Sequence, residues 1–137
     1  DGIWIDQEEE IKIMRVNSVA FKHELSHEWE RTQHVREYRA GHLRRDEVCD
    51  ADFLLRAAAE HHGRTMDKPC PVCGEDLRLT RWVYGESLGR RAGSARSEKE
   101  IAEFVGEGLE FTVHEVEVCR HCRWNHLLRS ATAFNAC

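Results

Sequence analysis

Two kinds of hydrophobic spacing divide the chain near residue 65. Before it, Phe21, Leu25 and Trp29 recur every fourth position, and Val35 and Tyr38 continue the stripe imperfectly. Apolar side chains at that spacing share one face of an α-helix. The pattern predicts a helix from Asn17 or Ser18, either a good N-cap, to about Ala40, with Gly41 as its stop. After a polar link at 42–47, Asp50 or Asp52 is placed to cap a shorter helix through Phe53, Leu54, Leu55 and Ala57 to Ala59, ending at Gly63. His61 and His62 then lie near its last carbonyls, where imidazoles suit the helix dipole.

After residue 65 the period shortens to two. Strands are expected over Leu77–Tyr84, Leu109–Val118 and about Trp124–Leu128. In the first two the alternation changes phase: Leu77 and Leu79 give way to Trp82 and Tyr84, and Phe111 and Val113 to Val116 and Val118. A bulge or strong twist in each accounts for the change. Between these strands lie a Gly/Arg loop, 85–96, and a helix at about 97–107. Ser97-Glu98-Lys99-Glu100 is a capping box for that helix, and Ile101, Phe104 and Val105 form its apolar face.

The chemistry sits where these strands begin and end. Cys70-Pro71-Val72-Cys73-Gly74 precedes the first, and Cys119-Arg120-His121-Cys122-Arg123 follows the second. Each CxxC turn presents two thiolates to one side of an ion, and two such turns complete a tetrahedron of sulfurs. Gly74 lets backbone N–H groups turn toward the sulfurs. Cys70, Cys73, Cys119 and Cys122 are thus the expected ligands of one structural Zn²⁺, in preference to a pair of disulfides. With four sulfurs the ion is closed to water and substrate, which argues against catalysis there. Forty-five residues separate the two hooks, so the zinc ribbon they imply carries an ordered insertion.

Composition adjusts this picture in two places. The 137 residues, 41% hydrophobic and 33% charged, suit one domain of globular type, with residues 1–13 as an N-terminal extension, 14–64 as a helical region and 65–137 as the ribbon. No apolar run approaches the roughly 18 residues of a membrane span, and the acidic start has the wrong sign for a signal peptide. Cytoplasmic residence, with reduced thiols free for metal, is expected. Residues 1–13 hold five acids against Lys12 alone and account for −4 of the net charge of −5. Generic binding to a nucleic-acid backbone is therefore not expected, and any such contact needs a local basic patch. The loop at 85–96 offers one, with Arg90, Arg91 and Arg96 against Glu86; arginines among glycines can grip phosphate or carboxylate, or simply balance neighbouring acids. Arg78, Arg81, Arg120 and Arg123 lie near the hooks in sequence and either offset the charge of the site or face water. Cys49 is placed at a helix start, where the dipole can favour thiolate, although burial is commoner for such a residue. Cys137, at the chain end, is expected to be a frayed thiol.

Two resemblances bear on function. His23-Glu24-Leu25-Ser26-His27 spells HExxH, in which two histidines one helical turn apart hold zinc and the glutamate acts as base. With His42 as a third ligand and cysteines downstream, the layout is similar to SprT-type metalloproteases. Against this, helical projection sets both histidines opposite the Phe21–Leu25–Trp29 stripe, 22 residues leave little room for the sheet that roofs a protease cleft, and the long insertion is foreign to that pattern. The second resemblance is carried by Glu47-Val48-Cys49-Asp50-Ala51, Leu54-Leu55-Arg56-Ala57-Ala58, Cys70-Pro71-Val72-Cys73, Trp82-Val83-Tyr84-Gly85, Gly93-Ser94-Ala95-Arg96, Val116-Glu117-Val118-Cys119-Arg120 and Trp124-Asn125-His126-Leu127. As an ordered set over about 15–130 these resemble a family of small actinobacterial proteins of unknown function, cytoplasmic, with a split CxxC pair. That resemblance implies N-terminal helices and a zinc ribbon, and no activity.

The expected architecture is α+β, and the expected function is non-enzymatic: a zinc ribbon docking on a machine such as RNA polymerase, the ribosome or a nucleic acid, with no membrane contact. The competing class is a SprT-like protease, and a third is a redox sensor that acts through zinc release.

Overall fold

The computed structural model describes residues 19–136. The acidic extension, the proposed caps Asn17 and Ser18, and Cys137 lie outside the described residues.

An antiparallel sheet organises the molecule. Its strands are β1 (Val19–Ser26), β2 (Arg64–Pro69), β3 (Asp76–Tyr84), β4 (Ser94–Ala95), β5 (Phe111–Cys119) and β6 (Asn125–Asn135). Their order is β1-β6-β5-β3-β2, with β4 paired to the far end of β3. The helices are α1 (Glu28–Arg39), the single turn α2 (Arg45–Val48), α3 (Phe53–His62) and α4 (Glu98–Gly106). Among the described residues no helix is long and apolar enough to cross a membrane. Mixed helices and antiparallel strands bear out the α+β class.

The N-terminal segment departs from the periodicity. Val19–Ser26, expected as the first half of a long helix, is a strand paired to β6 from Val19↔Asn135 to Ser26↔Arg129. Val19 and Phe21, two apart, pack on the core under α4, and that burial outweighs local helix propensity. The register then shifts between Lys22 and Leu25, and His23 takes a φ of 55°. This break removes the stripe: Leu25 and Trp29 are 58% and 71% exposed. Helix α1 starts nine or ten residues later than expected, where Ser26 Oγ accepts the Glu28 N–H at 3.2 Å. Only its second half is apolar inward, through Val35 and Tyr38.

The other helices follow their caps. Asp52 Oδ1 accepts the Leu55 N–H at 2.8 Å at the head of α3. Gly63 ends it, and a Cβ there would lie 2.7 Å from the Ala59 carbonyl oxygen. Ser97 and Glu100 form the reciprocal capping box of α4. Its buried Ile101, Phe104 and Val105 meet Val83, Phe111, Val113 and Ala133 of the sheet.

Of the two phase changes, one is absent. β3 pairs β5 without interruption from Leu77↔Cys119 to Tyr84↔Thr112, and Leu77, Leu79 and Val83 keep one face while Tyr84 is exposed. The irregularity falls in the β5–β6 pairing, between Glu115 and Val116. The third strand runs on to Asn135 because β1 supplies it with a second neighbour. The Gly/Arg stretch is a 3-10 turn, Glu86–Arg91, followed by β4.

Candidate metal centre

The β3–β5 register decides where the cysteines go. Pairing Leu77 with Cys119 brings the turn before β3 and the turn after β5 to the same end of the sheet. There the sulfurs of Cys70, Cys73, Cys119 and Cys122 all lie within 4.8 Å of one another. Cys73 and Cys119 Sγ are 3.5 Å apart, and Cys70 and Cys122 Sγ 3.6 Å.

The two hooks are built alike. Cys70 N–H donates to the Glu75 carbonyl at 2.8 Å, and Cys119 N–H to the Trp124 carbonyl at 2.8 Å. Gly74 N–H returns to the Cys70 carbonyl and Arg123 N–H to the Cys119 carbonyl, each at 3.0 Å. Backbone N–H groups point at a sulfur in both hooks, among them Val72 N–H to Cys70 Sγ and Cys122 N–H to Cys119 Sγ, each at 3.4 Å. The turn requires a left-handed residue after the second cysteine. Gly74 meets this with φ 81°, and Arg123 takes φ 80° despite its side chain. What holds Arg123 there is Ala51, whose carbonyl accepts from Arg123 Nε at 3.0 Å while its N–H donates to the Arg123 carbonyl at 2.9 Å.

Around the sulfurs is an apolar shell of Val35, Val48, Leu77 and Trp124, with Tyr38, Leu43, Met66 and Val72 at its margin. Burial pushes the Cys70 thiol up to about 11, above the ordinary 9.0. Burial likewise raises Cys122, which also bonds the Cys49 and Cys70 thiols. For Cys119 burial pulls upward too, but the N–H of Cys122, the thiol of Cys73 and the N–H of His121 outweigh it, and its pKa falls. Four thiolates at this spacing repel one another, and only a cation among them would hold all four ionised. The donor set therefore fits a thiophilic metal ion.

Sequence reasoning did not place two members at this end of the molecule, although burial of Cys49 was the commoner expectation and holds. Cys49 is buried with its Sγ 3.6 Å from that of Cys122; it stands at the C-cap of α2 rather than at a helix start. Glu117 is 0% exposed, and its Oε2 accepts from Arg31 Nε and Trp124 Nε1, each at 2.7 Å. Lys68 Nζ is 3.7 Å from Oε1, which has no hydrogen-bond partner among the described residues. An acid amid the Val-Glu-Val-Cys alternation was the available signal.

The remaining candidates are not drawn to the sulfurs. His23–His27 lies on β1 and the turn after it, so the helical geometry of HExxH is absent; Glu24 instead pairs with Arg129 at 2.6 Å and His27 with Glu30 at 3.6 Å. His42 Nδ1 faces Glu37 at 3.1 Å. Among the described residues the four cysteines are the only such group. Arg91 pairs with Glu107 at 3.4 Å and lies 4.5 Å from the Phe104 ring; Arg96 pairs with Glu100 at 3.2 Å and lies 5.3 Å from the same ring. Arg90 is exposed. Arg78 and Arg123 grip backbone carbonyls around α3, Arg120 pairs with Glu60 and Arg81 with Glu98 and Glu115, so none of the four is directed at the sulfurs.

Comparison with known proteins finds relatives in mycobacteria. It is 49% identical over 85 residues to an uncharacterized protein of Mycobacterium bovis, Mb0050, and equally to Rv0049 of Mycobacterium tuberculosis. The match covers 61% of this chain and spans 62% of the length of those relatives. No solved structure matches it. Residues 22–134, which include most of β1, both hooks and nearly all of the sheet, match the family of unknown function DUF5318, and the chain belongs to that family.

Proposed function

We propose that this is a non-enzymatic protein whose four cysteines bind one structural zinc ion, forming a zinc ribbon that docks on a protein surface of a larger cytoplasmic machine such as RNA polymerase or the ribosome. The observation that carries it is the convergence of Cys70, Cys73, Cys119 and Cys122. Sulfurs about 2.3 Å from a tetrahedral zinc stand about 3.8 Å from one another, and the observed separations of 3.5 and 3.6 Å come close to that. Four thiolates close the coordination sphere, which favours a structural ion over a catalytic one.

A protein partner is favoured over a nucleic acid by the surface. Arg91 and Arg96 already hold glutamates and stack on Phe104, leaving Arg90 as the readily offered cation of the three. Meanwhile Trp29, Phe53 and Leu54 expose most of their side chains, a pattern suited to burial against protein. Metal analysis of the purified chain should find one zinc per molecule. Phe53→Asp should keep that zinc and the melting temperature but lose a partner captured by the wild type. Absence of zinc, or a second ion held by His23 and His27, would overturn the proposal.

A further inference from the structure

Cys49 is not one of the four, yet it is fixed against them. Ala51 is bonded in both directions to Arg123, and Asn125 Nδ2 donates to Asp50 Oδ1 at 2.9 Å. These contacts hold the segment 49–51 along the second hook and leave Cys49 Sγ 3.6 Å from Cys122 Sγ. Cys122 is half-buried, whereas Cys49 is buried. A partly exposed cysteine within 3.6 Å of a buried thiol outside the ligand set is the arrangement of a resolving pair.

We propose that Cys49 is the resolving thiol for Cys122, and that a hydroperoxide joins them in a disulfide that removes Cys122 from the metal-binding set. The Cys122 thiolate attacks a peroxide oxygen; the O–O bond breaks, an S–O bond forms, and the departing oxygen takes a proton from solvent. Cys122 is then a sulfenic acid and the peroxide is reduced to water or an alcohol. The Cys49 sulfur attacks the Cys122 sulfur, the S–O bond breaks, and the oxygen leaves as water with the Cys49 proton. Cys70 is as near to Cys122, also at 3.6 Å, but in the set of four its sulfur is itself a ligand, while Cys49 has no such tie. Dithiol reduction returns Cys122 to the set. The effect on metal rests on the zinc proposal above; the sulfur pairing does not.

Trypsin decides the pairing cleanly, because cuts at Arg45, Arg56, Arg120 and Arg123 place Cys49 and Cys122 on separate peptides, 46–56 and 121–123, free of other cysteines. The purified full chain, treated with hydrogen peroxide and alkylated, should yield these two peptides linked, about 2 Da below the sum of their thiol forms. In Cys49→Ser the link should vanish and peptide 121–123 should gain about 32 Da as the sulfinic acid. Zinc followed with a chromogenic chelator should leave both proteins and return on dithiol treatment to the wild type alone. Linkage of Cys122 to Cys70 or Cys119 in the wild type overturns the proposal, as does a Cys122 that peroxide leaves untouched or oxidises to the same product in both proteins. A chain isolated without zinc defeats the metal proposal while the peptide map still judges the pair. The wild-type map needs no variant to fold.

Discussion

At the level of single residues, the two hooks show how one backbone turn is reached from different side chains. Gly74 adopts its positive φ without cost, and open space surrounds the position a Cβ would take. Gly74→Ala should therefore destabilise by about 1 kcal/mol through backbone strain alone, measurable by urea titration of the zinc-loaded chain. Arg123 tolerates the same conformation through its grip on Ala51, so Arg123→Ala should cost more than the hydrogen bond it deletes. Cys73→Ser and Cys122→Ser should lose zinc and lower the melting temperature sharply, since metal binding in such sites is coupled to folding. The four-cysteine cluster was legible from spacing because two CxxC turns encode its geometry locally. Cys49 was not legible, because its approach to Cys122 depends on a long-range contact across the fold that no local period records.

Elements were legible where the ends carried their own signals. Asp52, Gly63 and the Ser97–Glu100 box mark α3 and α4 in the sequence as in the fold. Ser97→Ala should cost about 1 kcal/mol. Glu100 has a lowered pKa, chiefly because it accepts the Ser97 N–H; burial opposes this and Arg96 assists. A depressed folded pKa means its contribution is fully present above the ordinary carboxylate value of 4.5 and is lost as pH falls through the folded one. Glu100→Gln should flatten that part of the stability profile below pH 4.5. In the N-terminal segment the periodicity misled, although Asn17 and Ser18 read as caps and Gly41 as a stop. Phe21, Leu25 and Trp29 are spaced like a helix, but Val19 and Phe21 also alternate like a strand, and the waiting edge of β6 decides between them. Because Arg91 and Arg96 flank Phe104, replacing all three arginines of the 85–96 stretch by alanine should lower stability; Arg90→Ala alone should not.

Across the whole molecule, the Arg31–Glu117–Trp124 contact ties α1 to the sheet beside the sulfurs. Arg31→Met would leave a fully buried carboxylate with the Trp124 N–H and, as its cation, the more distant Lys68, and should cost about 3 kcal/mol in denaturant titration. Glu24→Gln, at an exposed pair with Arg129, should change stability by a few tenths of a kcal/mol at most. Protein cleavage that depended on Glu24 would revive the protease alternative.

The pairing of β1 with β6 also has a consequence in time. Glu24 and Arg129 are 105 positions apart, and the ladder they flank joins the first described strand to the last. A ribosome adding about 5–20 residues per second releases β1 several seconds before its neighbour exists. Until then Val19 and Phe21 have no strand to lie against, and the β1 edge is free to join another chain. Both cysteine hooks precede β6, so the sulfurs can gather while the sheet still lacks β6 and, with it, β1. Nascent chains stalled before Asn125 should thus be more prone to aggregate than the finished protein, and addition of a β6 peptide should suppress it.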